Sequence, residues 1–370
     1  MTALAIIGCG FVADLYMRSL VLYPDIKVMG VYDQDKRRRD VFCSHWGLTA
    51  APSQDALFAQ IPAGSLILNL TNPKAHFSIN HACLQAGFHV YSEKPLAVNM
   101  EEAHQLHALA KSRNLLLASA PCSVLGVAAQ TLGAAIRTDT IGTPRLVYAE
   151  LDDGFISQAP YQKWISETGA PWPYKDEFQV GCTLEHAGYY LSWLIAFFGS
   201  VKSVTAASAN IVANTSDAPD FSVATLFFEQ GLVARLTCSI IAPHNHQIRV
   251  IGDKGVLSVQ KAWDNFAKVK VRRRKVVRRR LLELPIAKQF KLKGPTHPKV
   301  GRWGAASMNF ALGLVEMLEA LQQNRPCRLS SDFALHLNEV TLAIQNAGDH
   351  TGAQQMQTHC PPIKLMPWAK

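Results

Sequence analysis

The apolar run Leu4-Ala-Ile-Ile7 leads directly into Gly8-Cys-Gly10-Phe-Val-Ala13, and an apolar helical pattern follows to about residue 22. Few arrangements satisfy that order. The first glycine permits a tight turn, the second lets a pyrophosphate approach the backbone, and the small Ala13 lets helix and strand pack closely. The helix N-terminus then presents free N–H groups to the turn, an anion site made from backbone alone. A second strand, residues 26–32, ends in Asp33, 23 residues beyond Gly10, close to the spacing of a carboxylate that grips an adenosine ribose. Gly8, Cys9, Gly10, Phe11, Val12 and Asp33 therefore read as a dinucleotide cradle. Asp33 would repel a 2′-phosphate and so favours NAD. The adjacent Lys36-Arg-Arg-Arg39 offers arginines that can receive one, which keeps NADP open, unless they only solvate a helix face.

A third apolar strand, residues 66–70, ends in Thr71-Asn-Pro-Lys-Ala-His76, and a helix follows to Gly87. The next strand is Phe88-His-Val-Tyr-Ser-Glu-Lys-Pro95, closed by a carboxylate, an amine and a proline that cannot extend a ladder and restricts its predecessor. Lys94 is thereby held at a strand's carboxyl end, where open α/β sheets place their ligands. A lysine whose pKa is drawn down by burial or a nearby cation can shuttle a proton, and Lys94 reads as that group. The plain alternative is a surface lysine before a turn proline. Asn99 can cap the helix of residues 101–111, and residues 115–118 make a further strand. The βαβ succession predicts a doubly wound parallel sheet whose strand ends line one crevice, with Thr71, Asn72 and Glu93 along it. His76 fits a nicotinamide ribose contact or the first turn of a helix.

Taken in order, the glycine-rich turn, Asp33, Thr71-Asn-Pro-Lys-Ala-His76 and Ala86-Gly-Phe-His-Val-Tyr-Ser-Glu-Lys-Pro95 resemble the Gfo/Idh/MocA oxidoreductases, the glucose–fructose oxidoreductase and inositol dehydrogenase group. The resemblance covers nearly the whole chain. It implies an α/β protein: an N-terminal Rossmann domain, and a C-terminal α/β domain with a large, mostly antiparallel open sheet that covers the substrate and often mediates oligomerisation. It implies that Lys94 is the catalytic lysine, that Glu93 is a cofactor-side residue, and that Lys94-Pro95 is a candidate cis peptide. The stretch Gly181-Cys-Thr-Leu-Glu-His186-Ala-Gly-Tyr-Tyr190 resembles the family's Gly-Gly-x-x-x-Asp-x-Gly-x-His helix, with His186 where Asp is usual and Tyr190 where His is usual. Four apart on one helix face, His186 and Tyr190 are the expected assistants of Lys94, a core histidine being the alternative. Adjacent Glu185 would point about 100° away.

At 370 residues the chain exceeds one ordinary core, and we divide it into a dinucleotide domain, 1–121, and a substrate and oligomerisation domain, 122–370. The second half opens with a linking helix, 122–137, and a strand, 145–151. An aromatic loop then carries Phe155, Tyr161, Trp164, Trp172, Tyr174 and Phe178. Trp164 and Trp172 are candidate substrate contacts, since such rings stack on sugars or exclude water; loop-core packing is the equal alternative. Alternating runs at 201–211, 221–228, 232–241, 247–251 and 256–260 predict an antiparallel meander, closed by helices at 305–323 and 333–347.

The net charge of +9 is local. Residues 268–302 hold fourteen Lys or Arg and one acid, Glu283, leaving 23 basic and 27 acidic residues elsewhere. A solvated sheet edge, an anionic-sugar contact and an acidic partner all suit that segment. Nucleic acid suits it least, because aromatics for base stacking are sparse there. Eight scattered cysteines with no Cys-x-x-Cys pair indicate free thiols in a reducing cytoplasm and no zinc knuckle; no metal is expected. No apolar run spans a bilayer, and the N-terminus does not read as a signal peptide. The expectation is an NAD(P)-dependent oxidoreductase of a sugar, polyol or related hydroxylated substrate, assembled as a homo-oligomer through its C-terminal sheet. Its rivals are NAD-dependent glycoside cleavage and a non-enzymatic dinucleotide-binding regulator.

Overall fold

The computed structural model describes residues 3–212, 216–349 and 352–369; the outer ends of the two expected domains, Met1 and Lys370, lie outside them. Short apolar runs closed by turn residues become strands β1 (Leu4–Ile7), β2 (Val28–Tyr32), β3 (Leu66–Asn69), β4 (His89–Ser92) and β5 (Leu117–Ser119). They form one parallel sheet in the order β2-β1-β3-β4-β5. Both faces are covered, so alternate residues enter two different cores. Leu4, Ile6, Leu66, Leu68 and Tyr91 pack on one side, and Ala5, Ile7, Ile67 and Val90 on the other. The turn after β1 depends on Gly8: its φ is +101°, and a Cβ there would lie 2.6 Å from the Leu70 carbonyl carbon.

The second sheet is built from β6 (Pro144–Phe155), β7 (Val201–Ala209), β8 (Phe221–Phe228), β9 (Val233–Ser239), β10 (Ile241–Asn245) and β11 (Ile248–Gly252). It continues with β12 (Gly255–Val259), β13 (Val269–Val277), β14 (Arg280–Glu283), β15 (Lys288–Phe290) and the two-residue β16 (Gln354–Gln355). The order is β14-β13-β12-β11-β6-β9-β8-β7-β16, with β10 on the far part of β6 and β15 on β13. Every pairing is antiparallel except β6 with β9. The chain is thus the α/β pair of sheets its pattern predicts. The helix Ser331–Gln345 packs on β7 and β8 and also on β5 and the helix Met100–Ser112, so it joins the two layers.

Three local differences have physical causes. The linking helix starts only at Val127, because Gly126 is extended and tightly packed: a Cβ there would lie 2.7 Å from Asn265 Nδ2. The helix expected from residue 305 starts at Leu312, since the Asn309 side chain takes the Ala311 N–H for itself. The helix that the apolar rhythm predicts over residues 184–198 opens with a wide π turn, Thr183–Ala187, before the α-helix Gly188–Phe198. The basic segment is a charged strand at the sheet's end. Only Val269 and Val271 of β13 are buried, and β14 is exposed throughout.

Candidate active site

The glycine-rich turn delivers what a pyrophosphate needs. The amides of Gly10, Phe11 and Val12 have no protein acceptor among the described residues, and a Cβ on Gly10 would meet nothing within 4 Å. Phe11 and Val12 are the first residues of the helix Phe11–Leu20, whose start carries no side-chain cap. Cys9 contributes its backbone: its N–H donates to Asp33 Oδ2 at 2.7 Å, while its thiol is buried. Asp33, at the end of β2, also accepts from Asp35 N–H at 2.8 Å. Of the basic run, Arg39 is occupied by Asp40 and the Ala51 carbonyl, whereas Lys36, Arg37 and Arg38 are exposed. These residues fit a dinucleotide, with its diphosphate on the helix N-terminus and its ribose at Asp33.

The other expected cofactor residues divide. Thr71 and Asn72 border the crevice after β3, Thr71 bonded to Asn69 Oδ1 and Asn72 to Asp176 of the second domain. His76 does not face a ribose. It is fully buried, Nδ1 lies 2.6 Å from the Pro95 carbonyl and Nε2 2.8 Å from the Thr71 carbonyl, and burial pushes the imidazole down towards neutrality. It sits between two loop backbones, and a neutral ring with one N–H donates to only one of these carbonyls. Glu93 is buried at the end of β4, accepting from Tyr16 Oη at 2.6 Å and Lys94 N–H at 3.0 Å, and burial pushes its carboxyl up.

Lys94 stands where its strand predicts, followed by a cis peptide to Pro95. Its ammonium bonds Glu185, which reaches across from the second domain and is 2% exposed. The expected downward shift of Lys94 is not found. Burial disfavours the ammonium, but Glu185, Glu177, Tyr189 and Glu93 together outweigh it and hold the lysine above its ordinary range. The strain of the arrangement falls on Glu185. Burial first and Glu177 second push its carboxyl up to about 8, with Lys94 only partly opposing.

His186 and Tyr190 are not brought to Lys94. His186 Nδ1 lies 3.2 Å from Asp153 Oδ2 on β6. The Tyr190 hydroxyl is buried without a partner among the described residues, and burial first and Asp153 second push its pKa up. The face that meets Lys94 is one residue earlier: Glu185 pairs with it, and Tyr189 borders the same small cavity as Glu93, Tyr16 and Pro121. The first amides of this helical stretch are tied from outside, Cys182 N–H to the Pro219 carbonyl and Leu184 N–H to Gln345 Oε1. That anchoring and the wide turn set the phase. One signal was available in the sequence: Glu185 is the single carboxylate in an otherwise apolar buried run, and a buried carboxylate requires a counter-charge.

Trp164 and Trp172 pack against each other at 5.0 Å, and Trp172 meets Tyr161 and Phe178 edge-on. They form the body of a loop docked on the first domain. Thr168 bonds Asp14 through both N–H and hydroxyl, Glu167 pairs with Arg18, and Gln179 accepts from Lys74. The loop therefore ties together the two walls of the crevice, the glycine-rich helix and the segment after β3.

This is the architecture of a dinucleotide-dependent oxidoreductase. Residues 2–120 match the family model described as the oxidoreductase family with an NAD-binding Rossmann fold, and residues 129–258 match the GFO/IDH/MocA C-terminal domain. The chain belongs to the Gfo/Idh/MocA oxidoreductase family. Among its relatives, trans-1,2-dihydrobenzene-1,2-diol dehydrogenase of Mus musculus is 26% identical over 261 residues, 70% of this chain and 74% of that one. UDP-N-acetylglucosamine 3-dehydrogenase of Acidithiobacillus ferrooxidans is 30% identical over 145 residues, 39% of this chain and 44% of that one. Of solved structures, an NAD binding oxidoreductase from Klebsiella pneumoniae superposes with a TM-score of 0.77 at 19% identity, covering 96% of this chain and 98% of that one. The WlbA dehydrogenase of Bordetella pertussis, in complex with NADH and UDP-GlcNAcA, gives 0.73 at 18% identity over 96% and 99%. No described helix is long and apolar enough to cross a membrane, and all eight cysteines are free and buried.

Proposed function

We propose that the chain oxidises or reduces a secondary hydroxyl carbon of a sugar, a nucleotide-linked sugar or a cyclic diol, with Lys94 exchanging the hydroxyl proton. One observation carries this reading: the mostly buried ammonium at the carboxyl end of β4, gripped by a carboxylate from the other domain. The nicotinamide, when bound, supplies or accepts the hydride. Lys94 hydrogen-bonds the substrate oxygen, Glu185 balances the charge as the proton moves, and Tyr189 takes the assisting place first expected for Tyr190. The dihydrodiol and amino-sugar substrates in the relatives' names support a ring bearing neighbouring hydroxyls. Asp33, with both oxygens directed by backbone N–H groups, favours NAD over NADP. The division near residue 121 then separates a cofactor half from a half that positions substrate.

The open face of the second sheet is the surface we assign to self-association. Leu146, Val233 and Phe227 lie side by side across β6, β9 and β8, next to Tyr148 under Arg235 and Arg249. Light scattering reads that directly.

The test of the activity is a panel of sugars, sugar acids, nucleotide-sugars and trans-diols, read by NADH fluorescence with both cofactors. In Lys94→Ala, turnover on the active substrate falls by about 10² to 10⁴, the worth of general acid–base catalysis, with cofactor affinity little changed. Near-normal turnover in that variant rejects the assignment of Lys94.

A further inference from the structure

On the side of the helical stretch away from Lys94, three imidazoles converge on one carboxylate. Asp153 Oδ1 lies 3.1 Å from His246 Nε2 and 3.5 Å from His244 Nδ1, and Oδ2 lies 3.2 Å from His186 Nδ1. Asp153 is on β6, His244 is on β10, and His246 directly follows that strand. The convergence is built by the backbone. Ala242 pairs with Gly154 and Asn245 with Asp152, so Pro243 and His244 together face the single residue Asp153, which is a β-bulge. Gly154, at φ +78°, makes the room: a Cβ there would lie 2.8 Å from His244 Nε2. Trp263 stacks on His246 with ring centroids 5.6 Å apart and only 22° between planes, fixing that ring.

A hydrogen-bonded hub around Asp153 would explain one or two of these contacts. It does not by itself require that one nitrogen each of His244 and His246 and one Asp153 oxygen all lie within 4.8 Å of one another, as they do. With metal–ligand bonds of about 2.0 to 2.2 Å, neighbouring donors of a tetrahedral site sit about 3.3 to 3.5 Å apart, close to the 3.1 and 3.5 Å separations found. The geometry points to a divalent transition-metal site of the zinc class, with Asp153, His244 and His246 as ligands. His186 Nδ1 lies 3.2 Å from the second carboxylate oxygen, close enough to orient the ligand once a metal is bound. Two neutral imidazoles and one carboxylate leave a bound M²⁺ with a net positive charge and an open position. His244 is 68% exposed, which gives the ion a path in. Trp263 also packs on Tyr189, with ring centroids 4.4 Å apart, so the site stands one ring away from the candidate active site. An ion there would hold an anionic or chelating group of a ligand.

Equilibrium dialysis of the untagged full chain against Zn²⁺, with the bound metal counted by mass spectrometry, tests this without reference to turnover. One equivalent is expected in the unaltered protein. It should be lost in His244→Ala, whose exposed side chain contributes little to folding, and in His246→Ala. His186→Ala should bind about 10- to 100-fold more weakly, the usual effect of removing a group that orients a ligand. Co²⁺ in place of Zn²⁺ should give intense visible absorption in the unaltered protein and none in His244→Ala. Equal Zn²⁺ content in the unaltered protein and in His244→Ala, with circular dichroism showing both folded, overturns the site.

Discussion

Two faces of one helical stretch invite comparison. Glu185 and Tyr189 form one pair spaced four apart, His186 and Tyr190 the next, a single residue later. The first pair meets Lys94 and the cavity beside Glu93. The second meets Asp153, on which His244 and His246 also converge. Composition does not separate them, since each pair holds one ionisable group and one phenol. What separates them is where the opposing charge stands. A mostly buried ammonium at a strand end draws the carboxylate, and a carboxylate on the second sheet draws the imidazole. One register step decides which polar groups serve the crevice.

The largest effect expected on that comparison comes from Glu185→Gln. Removing a proton from a substrate hydroxyl requires an unprotonated acceptor. The Lys94 ammonium, held above its ordinary range, must first pass its proton to Glu185. Oxidation should therefore speed up as pH rises through about 8, the range to which burial and Glu177 raise the Glu185 carboxyl, and reduction should show the opposite slope. In Glu185→Gln turnover falls about 10²-fold, the lower end of what a proton-transfer group is worth. The limb near pH 8 is lost, because the carboxyl that titrates there is gone. A pH–rate profile in which that limb stays in place would break the pairing of this face with Lys94.

Tyr189→Phe and Tyr190→Phe then set the two phenols against each other. A lost hydrogen bond to a charged or developing-charge group is worth about 1.5 kcal/mol, so Tyr189→Phe should lower kcat/KM about tenfold. Tyr190→Phe should change it less than about twofold, as removal of a group outside the reacting region does. The reverse order would return the assisting role to the face first expected from the family pattern.

Much of the fold is legible in the residues because local rules write it. The glycine-rich turn, the spacing to Asp33 and the proline after Lys94 each constrain backbone within a few positions, and the structure places those elements accordingly. The meander of the second sheet is equally open, its turns falling between period-two runs. The phase of the stretch after Gly181 is not. It depends on Gln345 and Pro219, which tie its first amides from 161 and 37 residues away, and on a π turn that a 3.6-residue period cannot represent. Trp164 and Trp172 illustrate the same limit. Their type announces stacking, but whether they stack on a ligand or on each other depends on how Thr168 and Glu167 dock the loop to Asp14 and Arg18. The convergence of Asp153 with His244 lies across a bulge, and no spacing in the chain announces a bulge.

The smallest effect expected is in stability, and it bears on the second face alone. A buried hydroxyl without a partner carries a desolvation cost of about 1 to 3 kcal/mol, and the Tyr190 hydroxyl is such a group among the described residues. Phenylalanine keeps the ring and its packing while removing the oxygen, leaving only a small void to set against the gain. Tyr190→Phe should therefore raise the unfolding free energy by about 1 kcal/mol in urea denaturation followed by tryptophan fluorescence, since Trp193 lies on the same helix. Tyr189→Phe should show no such gain, because its hydroxyl is not among the buried unpartnered atoms. A loss of 1 kcal/mol or more in Tyr190→Phe would mean that the hydroxyl donates to the Asp153 cluster after all. The second face would then be a closed polar network, and Tyr190 would be part of what holds the histidines in place.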